Sequence, residues 1–170
     1  MRIAAIDPGP LVWKIHGDPL PQARGRGRVL PSGRATVYVP ASKWRKQVRR
    51  GLEVLDVPHY AKGIPVSVAL VFRLTRPKSH YGTGRNAGKL KPSAPQYPLA
   101  GKTGAKPQGG IGDLDNYAKA VLDEMNGICF HDDAQVVELS VTKLYADYGP
   151  PGVSISYQRT NMAGGPLLDE

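Results

Sequence analysis

The segment "IPVSVALVFRL", residues 64–74, constrains the fold more than any other part of the chain. Every second residue from Val66 to Leu74 is large and apolar, which is the period of a β-strand. Ala69 and Val71 make the alternate face partly apolar as well. A strand that is apolar on both faces is typical of the centre of a sheet. The sequence therefore predicts a sheet with further strands on both sides of this one.

Two helices and several further strands are predicted around this segment. Each helix carries an apolar stripe at helical spacing, and Asn126 and Gly127 end the second helix. The predicted strands are residues 11–17, 35–40, 128–130, 136–146 and 152–158, and the predicted helices are residues 41–55 and 114–125. Because this order is not a regular βαβ series, it indicates an α+β fold, a small mixed β-sheet packed with two main helices.

The length of 170 residues fits a single domain, 1–170, with its core at about residues 11–159. Residues 77–112 have no periodicity and are predicted to be a flexible basic insertion, and residues 160–170 a frayed tail. The single cysteine, Cys129, excludes an internal disulfide framework and is expected in the core. No signal peptide or membrane-spanning segment is evident, so we expect a cytoplasmic protein without a membrane partner.

Charge divides the chain into a basic and an acidic part. Residues 1–112 contain 20 of the 23 Lys and Arg but only 4 of the 14 Asp and Glu, a net charge of about +16. Residues 113–170 carry a net charge of about −7. A basic excess of this size favours a polyanion such as nucleic acid, because each Lys or Arg on a phosphate releases counterions. Charge alone leaves open that the excess only keeps the protein in solution.

Two basic segments rich in Gly and Pro are the candidate nucleic-acid contacts. Residues 21–34 are predicted to be a loop that brings guanidinium groups close to a phosphate chain. Residues 77–112 contain no acidic residue and suit an adaptable nucleic-acid contact, although an insertion without a role is the alternative. The candidate DNA-binding residues in these segments are Arg24, Arg26, Arg28, Lys78, Arg85, Lys89 and Lys91.

The acidic residues concentrate in "GDLDNYAKAVLDEMNGICFHDDAQV", residues 112–136. Asp115 and Lys119 share an exposed face of the second predicted helix, and a short connection leads from that helix to a second acidic pair. Carboxylates that converge without counter-charges repel one another, and Mg²⁺ relieves this repulsion because it prefers oxygen ligands. A metal so held activates water, and a nearby lysine stabilises charge on a transferred phosphoryl group. The candidate residues are Asp113, Asp115, Lys119, Asp132 and Asp133.

Structural alternatives exist for each part of this segment. Asp113 and Asp115 can cap a helix, Asp115 and Lys119 can form an i, i+4 ion pair, and "HDDAQ" can be a plain turn. An EF-hand calcium loop is excluded because its sixth position, where glycine is required, would be Ala118.

The pattern "GDLDNYAKAVLDEMNG…HDDAQVVELSVTK" closely resembles the signature of RusA-like Holliday junction resolvases, and "IHGDPLPQARGR" is similar to that family's opening strand and loop. The resemblance covers most of residues 11–159. It implies a RusA-like fold and a homodimeric endodeoxyribonuclease that depends on Mg²⁺, with Mn²⁺ as a substitute. Such an enzyme resolves four-way DNA junctions by paired symmetric nicks in recombination and repair, and it would act in the cytoplasm of a bacterial or phage-infected cell, associated with the nucleoid through DNA.

The resemblance also implies roles for individual residues. Asp113, Asp115 and Asp133 would hold the metal, Lys119 would assist at the scissile phosphate, and Asp132 is a weaker candidate for a metal ligand. Two alternatives from the sequence itself stay open. One is a non-catalytic, basic nucleic-acid-binding protein, and the other is a metal-dependent nuclease that acts on single strands or RNA.

Overall fold

The structure is a computed structural model that describes residues 11–23, 25–38, 42–99 and 112–160. Its strands are β1 (Val12–His16), β2 (Arg26–Val29), β3 (Ala35–Tyr38), β4 (Val66–Leu74), β5 (Val136–Tyr145) and β6 (Gly152–Arg159), and its helices are α1 (Lys43–Val54) and α2 (Leu114–Met125). Short 3₁₀ turns lie at Lys78–His80, Gly84–Asn86 and Asp133–Gln135. The α+β fold class is confirmed. No helix in the described ranges is long and apolar enough to cross a bilayer.

Four strands form one mixed sheet in the order β1-β6-β4-β5. Strand β4 pairs antiparallel with β6 and parallel with β5, so the prediction that it is central is confirmed. The side chains from Val66 to Leu74 that alternate along β4 are all buried beneath the helices. The opposite face is open, and Ala69 on it is exposed. The centre of the sheet therefore needs only one apolar layer.

The helices bury most of the residues that their spacing predicts, although Leu55 after α1 is exposed. Trp44, Val48 and Leu52 of α1 are buried against the sheet and α2. In α2, Ala118, Val121 and Met125 are buried and Tyr117 is added to them. Cys129 and Phe130 are also buried, although the predicted strand at residues 128–130 is wrong. There Gly127 donates to the carbonyl of Phe130, and a tight turn takes the place of the strand.

The predicted loop at residues 21–34 is wrong at its centre, whereas residues 30–34 form a turn. Residues 26–29 form β2, which pairs antiparallel with β3 in a separate two-stranded sheet. Backbone pairing requires no apolar side chain, so a segment of Arg and Gly can form a strand that periodicity does not reveal. We call residues 25–38 the arm.

Residues 77–99 contain more local structure than the absence of periodicity predicts. Two of the 3₁₀ turns lie here, and Tyr81 forms an isolated bridge with Leu90. Arg76 holds this segment in place. Its guanidinium forms a bidentate ion pair with the carboxylate of Asp147 at 2.8 and 2.6 Å, and it also donates to the carbonyl of Pro95 at 2.8 Å. Residues 100–111 of the predicted flexible insertion and 161–170 of the predicted tail lie outside the described residues.

Candidate functional site

Asp113 is the N-cap residue of α2, and its carboxylate is exposed. Its side chain makes no hydrogen bond to the first turn of the helix, so the alternative that Asp113 caps α2 through its carboxylate is wrong. A carboxylate at the N-terminus of a helix still faces the positive end of the helix dipole. The position therefore offers oxygen ligands that the fold itself does not use.

Asp115 and Lys119 project from the next turns of α2, and both are exposed. The carboxylate of Asp115 accepts one long hydrogen bond, at 3.3 Å, from the amide of its neighbour Asn116. Within the described ranges, no ion pair joins Asp115 to Lys119. Both charged groups lie on the surface of the first half of α2, where a polar ligand can reach them.

The second acidic pair divides into a structural and a free carboxylate. Asp132 caps the 3₁₀ turn Asp133–Gln135, because its side chain accepts from the backbone N–H of Ala134 at 2.9 Å. Asp133 is exposed, and none of the side-chain hydrogen bonds found among the described residues involves its carboxylate. The turn itself contacts α2. Of the two carboxylates, that of Asp133 has both oxygens without a hydrogen bond among the described residues, whereas one oxygen of Asp132 is used by the turn.

Gln135 is a residue that the sequence analysis missed. It is 8% exposed, its side-chain oxygen accepts from Asp132, and its amide nitrogen donates to the carbonyls of Ala61 and Ile64 at 2.8 and 2.9 Å. The bond from the backbone N–H of Asp132 to Gln135 and the cap by the Asp132 side chain together form a capping box. The spacing of Asp132 and Gln135 is the signal that would have revealed it.

Lys143 is a second missed residue. It lies on the helix-covered face of β5, opposite Phe72, and its ammonium donates to the carbonyl of Gly112 at 2.9 Å. Burial lowers the pKa of Lys143, and the neighbouring negative charge of Asp113 partly opposes this shift. A lone lysine among the apolar residues of this face of the strand is the sequence signal. Its bond fixes the backbone just before Asp113.

The segment before the arm packs against the same backbone. A Cβ atom on Gly112 would lie 2.7 Å from Cγ of Pro21, so only glycine allows this approach. The backbone N–H of Gln22 donates to the carbonyl of Asn116 at 2.9 Å. The segment that leads into the arm is therefore packed against the first turn of α2, next to Asp113 and Asp115.

The basic residues predicted to bind DNA lie mainly on the surface. Arg28, Lys78, Arg85, Lys89 and Lys91 are exposed. The ammonium of Lys91 also donates to the carbonyl of Ser79 at 2.9 Å, so it helps to close its own loop. Arg26 belongs to β2, and Arg24 lies outside the described residues.

The donor set fits a hard divalent cation in its chemistry. Asp113, Asp115 and Asp133 offer exposed carboxylate oxygens and no soft ligand, which suits Mg²⁺ or Mn²⁺. Across the part of the chain that the structure describes, however, no three His, Cys, Asp or Glu side chains lie close enough to hold one ion together. Like charges separate without a counter-charge, so the carboxylates would have to approach one another on binding.

Two comparisons with known proteins cover this site. The family model "Endodeoxyribonuclease RusA" matches residues 16–157, a range that includes both acidic pairs. The uncharacterized protein YqaN of Bacillus subtilis (strain 168) is 34% identical over 136 residues, which are 79% of this chain and 87% of that protein.

Proposed function

The chain belongs to the RusA endodeoxyribonuclease family, and on this premise we propose that it is a metal-dependent endonuclease that resolves four-way DNA junctions by paired symmetric nicks. The observation that carries the proposal is that the four aspartates differ in whether the fold uses their carboxylates. Asp132 has a structural partner, whereas Asp113, Asp115 and Asp133 are exposed and make no strong bond within the fold. The chain has a net charge of +9, which favours DNA, but three exposed carboxylates repel its phosphates. A cation bound between the carboxylates and the DNA removes this repulsion.

In this proposal Asp113, Asp115 and Asp133 hold Mg²⁺, with Mn²⁺ as a substitute. A bound divalent ion supplies Lewis-acid chemistry and a nucleophilic water at neutral pH. Lys119, exposed one turn beyond Asp115, binds a non-bridging oxygen of the scissile phosphate and stabilises the charge that develops there. Lys143 and Gln135 do not touch the substrate, and they position the backbone that carries Asp113 and Asp133.

The substrate is proposed to be branched DNA bound by two copies of the chain. Exposed basic residues of the arm and of residues 78–91 would contact the phosphate backbone without reading its sequence. A four-way junction has two-fold symmetry, and a C₂ homodimer would present two sites in matching orientation. Paired nicks at such a junction serve recombination and repair.

The test is a cleavage assay on a labelled four-way junction and a matched linear duplex, in Mg²⁺ and in EDTA. We expect paired nicks on the junction alone, only with the metal, and loss of cleavage with retained binding in Asp115→Asn. Glu138→Gln, which removes an exposed carboxylate from β5, is the matched control and should cut normally. Cleavage in EDTA, or of the linear duplex at the same rate, would refute the proposal.

One observation favours a second function, junction binding without cleavage. Among the residues that the structure describes, the acids are not gathered into a ready metal site. A non-catalytic binder would hold the junction with equal affinity in Asp113→Asn and Asp115→Asn and would never cut it. Single-stranded DNA and RNA in the same assay distinguish the third alternative, a nuclease for those substrates.

A further inference from the structure

The two faces of the arm differ in chemistry. In the register of β2 and β3, Gly27 lies opposite Val37 and Val29 lies opposite Ala35, so these residues share one face. Val29 is 70% exposed and Val37 is 71% exposed. The face is thus small and apolar, and nothing in the described part of the chain covers it. Arg28 belongs to the opposite face.

The tip of the arm is a fixed turn. The backbone N–H of Leu30 donates to the carbonyl of Arg34, and the backbone N–H of Gly33 donates to the carbonyl of Leu30 at 2.8 Å. Gly33 has a φ of +78°, which favours glycine, and Pro31 before it has a restricted φ. Pro31 is exposed at this corner, two residues after Val29. A tip held by such bonds loses little conformational entropy when it enters a binding site.

The position and charge of the arm favour a polyanion as its ligand. No Asp or Glu occurs between Asp18 and Glu53, so the arm and its surroundings attract a polyanion. The segment that leads into the arm is bonded to α2 through Gln22, whose N–H donates to the carbonyl of Asn116 beside Asp115. Four-residue strands reach roughly 14 Å at about 3.4 Å per residue. The arm therefore lies within reach of the same nucleic acid that the acidic residues face.

We propose that the arm is a wedge, in which Val29, Val37 and Pro31 contact unstacked bases at the branch point while Arg28 holds the adjoining phosphate. Apolar side chains enter between bases where stacking is already weakened, and basic residues beside them anchor the backbone. The branch of a four-way junction has such bases, whereas a linear duplex does not offer them. This inference rests on the proposed function, because the ligand of the arm is branched DNA. It adds that the arm is the part of the protein that selects branched over linear DNA.

The test is the double variant Val29→Thr, Val37→Thr on the full chain. Threonine keeps the β-branched shape and the strand propensity of valine, so the arm is expected to stay folded while its face becomes polar. The probe is a four-way junction with 2-aminopurine at the branch, bound in EDTA so that no cleavage occurs. Val54→Thr, at a 76% exposed valine of α1, is the matched control.

We expect 2-aminopurine fluorescence to rise when the wild type or Val54→Thr binds, and to rise at most about half as much with the double variant. Affinity for a linear duplex should change less than about two-fold, because phosphate contacts remain. An equal fluorescence rise in all three proteins would overturn the wedge. The wedge would also be overturned if light scattering showed the double variant to be monomeric while the fluorescence rise was unchanged. The apolar face would then bind a second copy of the chain and not DNA.

Cleavage by the wild type is measured separately in Mg²⁺. A protein that cuts the junction without any fluorescence rise overturns the wedge and leaves the proposed nuclease intact. A protein that shows the rise, loses it in the double variant and never cuts supports the wedge and refutes the nuclease.

Discussion

The side-chain oxygen of Gln135 accepts a hydrogen bond from the backbone N–H of Asp132 at 3.1 Å, and this bond fixes the turn that carries Asp133. The amide nitrogen of the same side chain is bound to carbonyls more than seventy residues away in the chain, just before β4. The second acidic pair is therefore anchored to the edge of the core and does not depend on α2 alone for its position. A candidate metal ligand on a short turn needs such support to stay in place.

Gln135→Glu is the first prediction. The change keeps the size of the side chain but sets a carboxylate against the carbonyls of Ala61 and Ile64, to which it cannot donate. We expect the free energy of unfolding to fall by about 1–3 kcal/mol, as for a buried unsatisfied polar group. We also expect the Mg²⁺ concentration for half-maximal cleavage to rise by roughly 10-fold or more.

Urea unfolding and a Mg²⁺ titration of junction cleavage measure these two effects. Gln158→Glu, an exposed position on β6, is the control and should change neither. A destabilised Gln135→Glu protein with an unchanged Mg²⁺ requirement would show that Gln135 only stabilises the fold.

Substitutions of the neighbouring residues Asp132 and Asp133 are predicted to reduce cleavage to very different extents. Asp133→Asn should reduce cleavage by roughly 100-fold or more, since it removes a charged metal ligand, while junction binding is retained or tightened. Asp132→Asn keeps an oxygen that can accept from Ala134, and asparagine caps helices as well as aspartate does. It should reduce cleavage by less than about 10-fold. Single-turnover cleavage on one junction compares the two variants, and equal losses would contradict the assignment.

The core elements were predictable because their signals are local. Trp44, Val48 and Leu52 recur at helical spacing, and the alternation in β4 is readable without any other part of the chain. The exposed acids at the start of α2 were equally accessible. Lys143 and Gln135 carry local signals, but the partners that define their roles lie 31 to 74 residues away and could not be predicted. Strand β2 was not predicted because its pairing uses the backbone, and backbone groups are the same in every sequence.

The ion pair of Arg76 and Asp147 predicts a response to acid. The hydrogen bonds from Arg76 hold the pKa of Asp147 below its usual range. A carboxyl group whose pKa is lowered by folding stabilises the native state above its unfolded pKa, and this contribution is lost as the pH falls through the native pKa. Because Arg76 also bonds Pro95, we expect residues 77–99 to loosen at acidic pH before the core unfolds.

Hydrogen exchange or limited proteolysis of residues 77–99 between neutral pH and about pH 3 tests this prediction. Asp147→Asn should show the loosened loop already at neutral pH and lose the acid response, whereas Asp56→Asn, outside these ion pairs, should behave as the wild type. A loop equally protected at both pH values in the wild type would contradict it.

Salt dependence distinguishes the residues that bind phosphate from the remaining basic surface. Arg28→Gln removes an exposed guanidinium from the arm, and Lys89→Gln removes an exposed ammonium from the loop that Arg76 anchors. Removal of one cation that is bound to a DNA phosphate should reduce the slope of log K against log salt by about 0.9. We expect each variant to bind the junction more weakly and with a shallower slope, whereas Lys62→Gln, an exposed lysine in neither segment, serves as the control.

Fluorescence anisotropy between about 50 and 200 mM salt measures the slopes. If the affinity of a variant falls while its slope is unchanged, the substituted residue does not bind phosphate and would be removed from the DNA-binding surface.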